Sequence, residues 1–198
     1  MFINYVTVFC ASSNRCDKFY LEEAEKLGEL LAKSNRTIFY GGGKVGLMGK
    51  LAEGSLRYKG KLIGIITEQL KELELGNNEI TELRVVPSMH EREAGLIMNA
   101  DCIIALPGGC GTIEELMQAI TWKRLGIINT PIIIVNLRNF YEHLIKMLEL
   151  TIKERFMKEE YLEHWSVVSS IEECMDIIEN LKIPNQNTID LKNPPFLA

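Results

Sequence analysis

Short apolar runs alternate along the chain with longer stretches in which apolar residues recur at helical spacing. The apolar runs predict strands at 5–10, 37–40, 61–66, 81–86, 102–106 and 131–135, with 167–168 as a further candidate. The helical spacing predicts helices at 17–33, from 89, from 113 to about 124, at 140–153 and at 171–181. This alternation indicates an α/β fold, a doubly wound parallel sheet flanked by helices, in a single domain of residues 1–182. Ligands are expected where the strands of such a sheet end.

The sequence PGGCGTIEE, residues 107–115, joins one buried strand directly to a helix. Its glycines let the backbone adopt positive φ and let a ligand approach the main chain closely. The helix that follows offers unpaired N–H groups and the positive end of its dipole, so a phosphate is the expected guest. The candidate phosphate and substrate contacts in this stretch are Gly108, Gly109, Cys110, Gly111, Thr112 and Glu114.

Three side chains near this loop each have two interpretations. Glu115 stands three residues after Thr112, so the two residues match a capping box, but the carboxylate is also a candidate for chemistry in the cleft. Arg92 is either a surface arginine or a group that meets the anion or steers the carboxylate. Trp122 shares a helical stripe with Glu115 and either packs in the core or lines the same cleft.

A second glycine-rich loop, residues 41–49, follows the predicted strand at 37–40. Gly41, Gly43 and Gly46 satisfy G-x-G-x-x-G, and Glu68 follows the next strand, roughly where a ribose-binding acid is sought. A dinucleotide site is disfavoured because the loop follows the second strand and not the first. A tight turn and a contact to phosphate or ribose both stay open.

The composition narrows the function classes. The chain has 198 residues, of which 46% are hydrophobic and 25% charged, and a net charge of -5 without a basic face, which argues against a nucleic acid polymer as partner. We expect a cytoplasmic location and no membrane partner. The five cysteines and three histidines show no metal-ligand spacing, so no metal is expected. The stretch 183–198 shows neither a helical nor a strand pattern of apolar residues and is expected to be an extended or disordered tail.

These residues resemble the LONELY GUY (LOG) family of cytokinin riboside 5'-monophosphate phosphoribohydrolases, whose members are often mislabelled as lysine decarboxylases. The resemblance covers roughly residues 6–157. PGGCGTIEE is similar to the family's PGGxGTxxE, and residues 40–49 are similar to its YGGGxxGLMG. The resemblance implies a homodimeric, Rossmann-like enzyme that needs no cofactor and cleaves the N-glycosidic bond of AMP or an N6-modified adenosine 5'-monophosphate, releasing base and ribose 5-phosphate.

The family's functional residues carry over by motif position. The catalytic arginine and glutamate fall on Arg92 and Glu115, and a glutamate that contacts substrate falls on Glu74. The phosphate loop falls on Gly108, Gly109, Gly111 and Thr112. Further candidate substrate contacts at motif positions are Ser12, Ser13, Gly42 and Gly43.

Two positions depart from the family pattern. Glu93 stands where the family usually has lysine, and Ala11 replaces a glycine in the loop that follows the first predicted strand. The first departure puts an anion beside the catalytic arginine and so affects phosphate affinity or the choice of base. A non-catalytic nucleotide sensor or carrier with the same fold is the alternative function.

Overall fold

A computed structural model describes residues 3–73 and 76–181 of the chain. The strands are β1 (Tyr5–Phe9), β2 (Thr37–Tyr40), β3 (Leu62–Thr67), β4 (Glu82–Val86), β5 (Cys102–Ala105), β6 (Ile132–Val135) and β7 (Trp165–Val168). The helices are α1 (Lys18–Lys33), α2 (Gly46–Arg57), α3 (Glu68–Leu73), α4 (Met89–Met98), α5 (Cys110–Arg124), α6 (Glu142–Lys153) and α7 (Ile171–Asn180). The predicted tail, 183–198, lies outside the described residues.

The seven strands form one parallel sheet in the order β4-β3-β2-β1-β5-β6-β7. The order reverses direction between β1 and β5, which is the switch point where this class of sheet binds its ligands. The central strands β1, β2, β5 and β6 are apolar on both sides because helices cover both faces of the sheet. The doubly wound, Rossmann-like α/β fold predicted from the sequence is therefore confirmed.

Two hydrophobic clusters fill the space between the sheet and its helices. One cluster lies under α1, α2 and α7 and contains Leu27, Leu31 and Leu51. The other lies under α4, α5 and α6 and contains Leu96 and Leu116. The two clusters hold the first turns of α4 and α5 at the carboxyl edge of the sheet.

Four short elements were not predicted from the apolar pattern. Helix α2 begins inside the second glycine loop, at Gly46, and α3 forms in the polar stretch after β3 without burying any residue. Short 3-10 helices occupy Leu137–Asn139 and Glu159–His164. Helix α3 and the 3-10 helices carry little apolar periodicity, which is why the pattern did not indicate them. Helix α2 does bury Leu47, Met48, Leu51 and Ala52 at helical spacing, but its three glycines favoured a loop. Among the described helices, none combines the length and the hydrophobicity needed to cross a bilayer.

Candidate active site

A cavity of about 320 Å³ opens at the carboxyl edge of the sheet, beside the switch point between β1 and β5. Its walls come from the loop after β1, from α3 and α4, and from the first turns of α2 and α5. The lining residues are Cys10, Ala11, Ser12, Ser13, Met48, Leu70, Met89, Arg92, Gly109, Cys110, Gly111, Thr112 and Glu115. The structure thus brings together the loop after β1, the 107–115 loop and both predicted catalytic residues.

Arg92 and Glu115 form an ion pair in the wall of this cavity. Arg92 Nη1 donates to Glu115 Oε1 at 2.7 Å, and the two residues are only 6% and 8% exposed. Arg92 lies in the first turn of α4 and Glu115 in the second turn of α5, so the pair bridges two helices. A hydrogen-bonded charge pair removed from bulk water is strong and directional, which fixes the carboxylate relative to the cavity.

The Arg92 guanidinium is held on two further sides. Its Nε donates to the carbonyl oxygen of Ile65 in β3 at 3.1 Å. A Cβ atom at Gly41 would lie 2.5 Å from Arg92 Nη2, so the guanidinium occupies space that only glycine leaves free. Ser88 caps α4 by accepting a hydrogen bond from the Glu91 N–H at 3.2 Å. The arginine is therefore a preorganised part of the wall and not a mobile surface group.

Two roles were predicted for the glycines of the 107–115 loop, positive φ and close approach of a ligand to the main chain. Gly108, Gly109 and Gly111 do not adopt positive φ, so the prediction of left-handed freedom is wrong for them. A Cβ atom at Gly109 or Gly111 would have no heavy atom within 4 Å. These two glycines therefore expose bare backbone to the cavity, at the N-terminus of α5. An anion can approach the main chain at that point.

The predicted capping box at Thr112 is wrong. Helix α5 begins at Cys110, and Gly109, in an extended conformation, is its N-cap without a side-chain hydrogen bond. Thr112 therefore lies inside the first turn, where it is buried and lines the cavity. A Cβ atom at Gly108 would lie 2.1 Å from Thr112 Oγ1, so Gly108 makes room for the threonine. Thr112 is therefore not the cap, and the Glu115 carboxylate pairs with Arg92.

The structure places several other candidates away from this cavity. Gly42 packs against Gly64 and Leu83, and Gly43 bridges to Gly76, so both lie outside the lining. Glu114 is exposed and is not among the lining residues, while Trp122 packs against the core under α5. Glu74 lies outside the described residues.

Two supporting residues escaped the sequence analysis. Tyr141 Oη donates to the Leu106 carbonyl oxygen at 2.6 Å, directly before the glycine loop, and the Tyr141 N–H donates to Asn136 Oδ1 at 2.7 Å. Burial raises the pKa of Tyr141, so its hydroxyl stays a donor. A polar residue directly after a buried parallel strand, such as Asn136 after β6, was the available signal. Within the described residues, no group of three His, Cys, Asp or Glu side chains could hold a metal ion.

The fold and the site define a Rossmann-like α/β protein with a polar cavity built from a glycine-rich helix N-terminus and a buried arginine–glutamate pair. Residues 48–178 match the family model described as possible lysine decarboxylase. The chain is 33% identical over 184 residues to cytokinin riboside 5'-monophosphate phosphoribohydrolase LOG5 of Arabidopsis thaliana, covering 93% of this chain and 81% of the relative. It is 39% identical over 153 residues to the cytokinin riboside 5'-monophosphate phosphoribohydrolase of Rhodococcoides fascians, covering 77% of each. The chain belongs to the LOG family.

Solved structures support the fold over nearly the whole chain. The molybdenum cofactor carrier protein of Chlamydomonas reinhardtii superimposes with a TM-score of 0.68 at 16% identity, covering 90% of this chain and 97% of the carrier. At that identity the likeness extends to the fold alone. The same architecture is therefore compatible with catalysis in one protein and with carriage in another, and the side chains of the site decide between them.

Proposed function

We propose that this chain hydrolyses the N-glycosidic bond of AMP or an N6-modified adenosine 5'-monophosphate, giving free base and ribose 5-phosphate. The buried Arg92–Glu115 pair in the wall of the cavity is the observation that carries the proposal. Relatives that are named for this activity on cytokinin riboside 5'-monophosphates support the reaction class. These names do not mention AMP, so the choice between a plain and an N6-modified adenine is a more specific proposal than the reaction class.

The exposed backbone of the glycine loop is the proposed phosphate site. Gly109 and Gly111 leave open space at the N-terminus of α5, where unpaired N–H groups and the helix dipole favour an anion. Ser12 and Ser13 also line the cavity and supply hydroxyl groups to its wall. Binding energy from the phosphate would position the distant ribose, which is how a non-reacting group accelerates a reaction.

Glu115 is the proposed catalytic carboxylate. When the ribosyl C1'–N bond breaks, positive charge develops on the sugar, and a carboxylate beside C1' stabilises that charge. The same carboxylate would accept a proton from the attacking water while the water oxygen bonds to C1' and the base leaves with the bonding electron pair. Arg92, held by Ile65, Gly41 and Glu115 itself, would orient this carboxylate or contact the ribose hydroxyls.

The test is base release from AMP and from N6-isopentenyladenosine monophosphate, measured by chromatography for the wild type and for Glu115→Gln. We expect Glu115→Gln to lower kcat at least about 100-fold, because an amide of the same shape neither carries the charge nor accepts the proton. Glu149→Gln, an exposed carboxylate on α6, is the matched control and should keep the wild-type rate. Arg92→Ala should lose release as well.

The outcomes separate enzyme from carrier. Release by the wild type that persists in Glu115→Gln would refute the proposed role of this carboxylate. Nucleotide binding without release from either substrate would instead favour a carrier or sensor. The ratio of the two release rates would show whether the site prefers a plain or a modified adenine. The predicted homodimer is a further proposal, which sedimentation equilibrium of the purified chain tests.

A further inference from the structure

A second side-chain pair joins α4 to α5 directly beside the catalytic pair. Gln118 Nε2 donates to Glu93 Oε2 at 2.9 Å. Glu93 follows Arg92 in α4, and Gln118 stands three residues after Glu115 in α5, so the two pairs cross the same gap one beside the other. Glu93 is as deeply buried as Arg92, at 6% exposure. A buried carboxylate must be hydrogen-bonded to be tolerated, and the Gln118 amide provides this bond.

The two helices rest on different parts of the sheet. Helix α4 packs mainly against β3 and β4, with one further hydrogen bond from Thr7 Oγ1 of β1 to the Leu96 carbonyl oxygen, whereas α5 packs against β1. The distance between Arg92 and Glu115 therefore depends on how these two parts are held together, and a second tie between the helices restricts their relative movement. A displacement of about 1 Å at a reacting group can lower a rate on the order of 100-fold.

We propose that Glu93 and Gln118 are positioning residues, which clasp α4 to α5 and thereby hold the Arg92 guanidinium against the Glu115 carboxylate. Neither residue lines the cavity, so neither contacts substrate in this arrangement. Their role is exerted through the catalytic pair. The proposal rests on the proposed function for its kinetic consequence, but the clasp itself is a property of the folded chain.

The hydrogen bond to Glu93 can be removed without breaking another hydrogen bond of the Gln118 side chain. The other polar atom of the Gln118 amide, Oε1, is buried and has no hydrogen-bond partner among the described residues. Gln118→Leu, of similar size, therefore removes the bond to Glu93 and no other hydrogen bond of this side chain. Glu93→Gln keeps an acceptor oxygen for Gln118, whereas Gln118→Glu sets two carboxylates against each other.

The kinetic test compares kcat and KM for base release across these variants. We expect Gln118→Leu and Gln118→Glu to lower kcat about 10- to 100-fold while KM stays within about twofold, because the phosphate site is untouched. Glu93→Gln should retain most of the activity. The exchange variant Glu93→Gln/Gln118→Glu should recover the rate lost in Gln118→Glu, because the carboxylate–amide bond forms again with its partners exchanged. Glu149→Leu on α6 is the control.

A second measurement does not depend on activity. In a double-mutant cycle on urea unfolding, Gln118→Leu and Arg92→Leu should be non-additive, with the double variant less destabilised than the sum of the single ones. Additive unfolding effects, or a wild-type kcat in folded Gln118→Leu, would overturn the positioning role. Non-additivity together with no base release by the wild type would refute the proposed function and leave the clasp intact.

Discussion

The two glycine-rich loops of this chain look alike in sequence and do opposite things in space. In the 41–49 loop, Gly41, Gly42 and Gly46 are packed against other parts of the protein: a Cβ atom at Gly46 would lie 2.4 Å from the Ser12 carbonyl, and Gly42 and Gly46 have φ of 80° and 63°. In the 107–115 loop, Gly109 and Gly111 face open space. Glycine allows close packing of the protein in the 41–49 loop and leaves backbone uncovered for a ligand in the 107–115 loop.

The sharpest way to break this comparison is the same substitution in both loops, beginning with Gly46→Ala. We expect a loss of about 3 kcal/mol in the free energy of unfolding, because an alanine at positive φ is strained and its methyl group collides with Ser12 and Ser13 in the loop after β1. Urea unfolding followed by circular dichroism measures this loss. Gly111→Ala should stay within about 1 kcal/mol of the wild type, since it adds a better helix former in open space. Equal losses in the two variants would contradict the contrast.

Gly41→Ala tests a packed glycine whose neighbour is the proposed catalytic arginine. A methyl group there meets Arg92 Nη2 and Met48 Sδ, and Gly41 does not have positive φ, so displacement of the arginine is the main consequence. We expect kcat/KM for base release to fall about 100-fold, which corresponds to about 2.7 kcal/mol. Steady-state kinetics with AMP measures the effect. A wild-type rate in the folded variant would show that Arg92 tolerates the displacement.

Gly111→Ala also tests the open loop for ligand binding. If a phosphate lies against the backbone at this point, the added methyl group weakens binding about tenfold, or about 1.4 kcal/mol. Isothermal titration calorimetry with AMP, in a Glu115→Gln background that prevents turnover, measures the affinity. The same affinity with and without the methyl group would place the phosphate elsewhere.

The smallest effect is expected at Cys110, whose side chain stands between the two open glycines. Cys110 is the exposed cysteine of the five, and burial raises the pKa of the Cys102 thiol to about 12, so that thiol stays protonated and unreactive at pH 8. N-ethylmaleimide should therefore label Cys110 first and block base release. Cys110→Ser should keep kcat/KM within about twofold and abolish the sensitivity to the reagent. Mass spectrometry of the labelled peptide checks the site, and inactivation of Cys110→Ser at the wild-type rate would refute it.

The sequence was sufficient for the sheet because its central strands are continuous apolar runs that fit no other place than a buried parallel strand. The pairing of Arg92 with Glu115 followed from motif resemblance and not from spacing, since spacing alone equally supported a surface arginine and a capping glutamate. The capping prediction failed because an extended glycine, Gly109, began the helix before Thr112. The roles of Gly41 and Gln118 depend on side chains that approach from another helix, and no local pattern encodes such an approach.

The contacts that hold Arg92 come from elements that are far apart in the sequence. The guanidinium needs the backbone of β3, the glycine after β2 and the carboxylate on α5, and these come from both sides of the sheet's switch point. A fragment that lacks one of these elements also lacks one of the contacts that hold Arg92. The Arg92–Glu115 pair thus depends on contacts of long sequence separation, which form late in folding, so we expect the candidate site to be among the last parts of the fold to form.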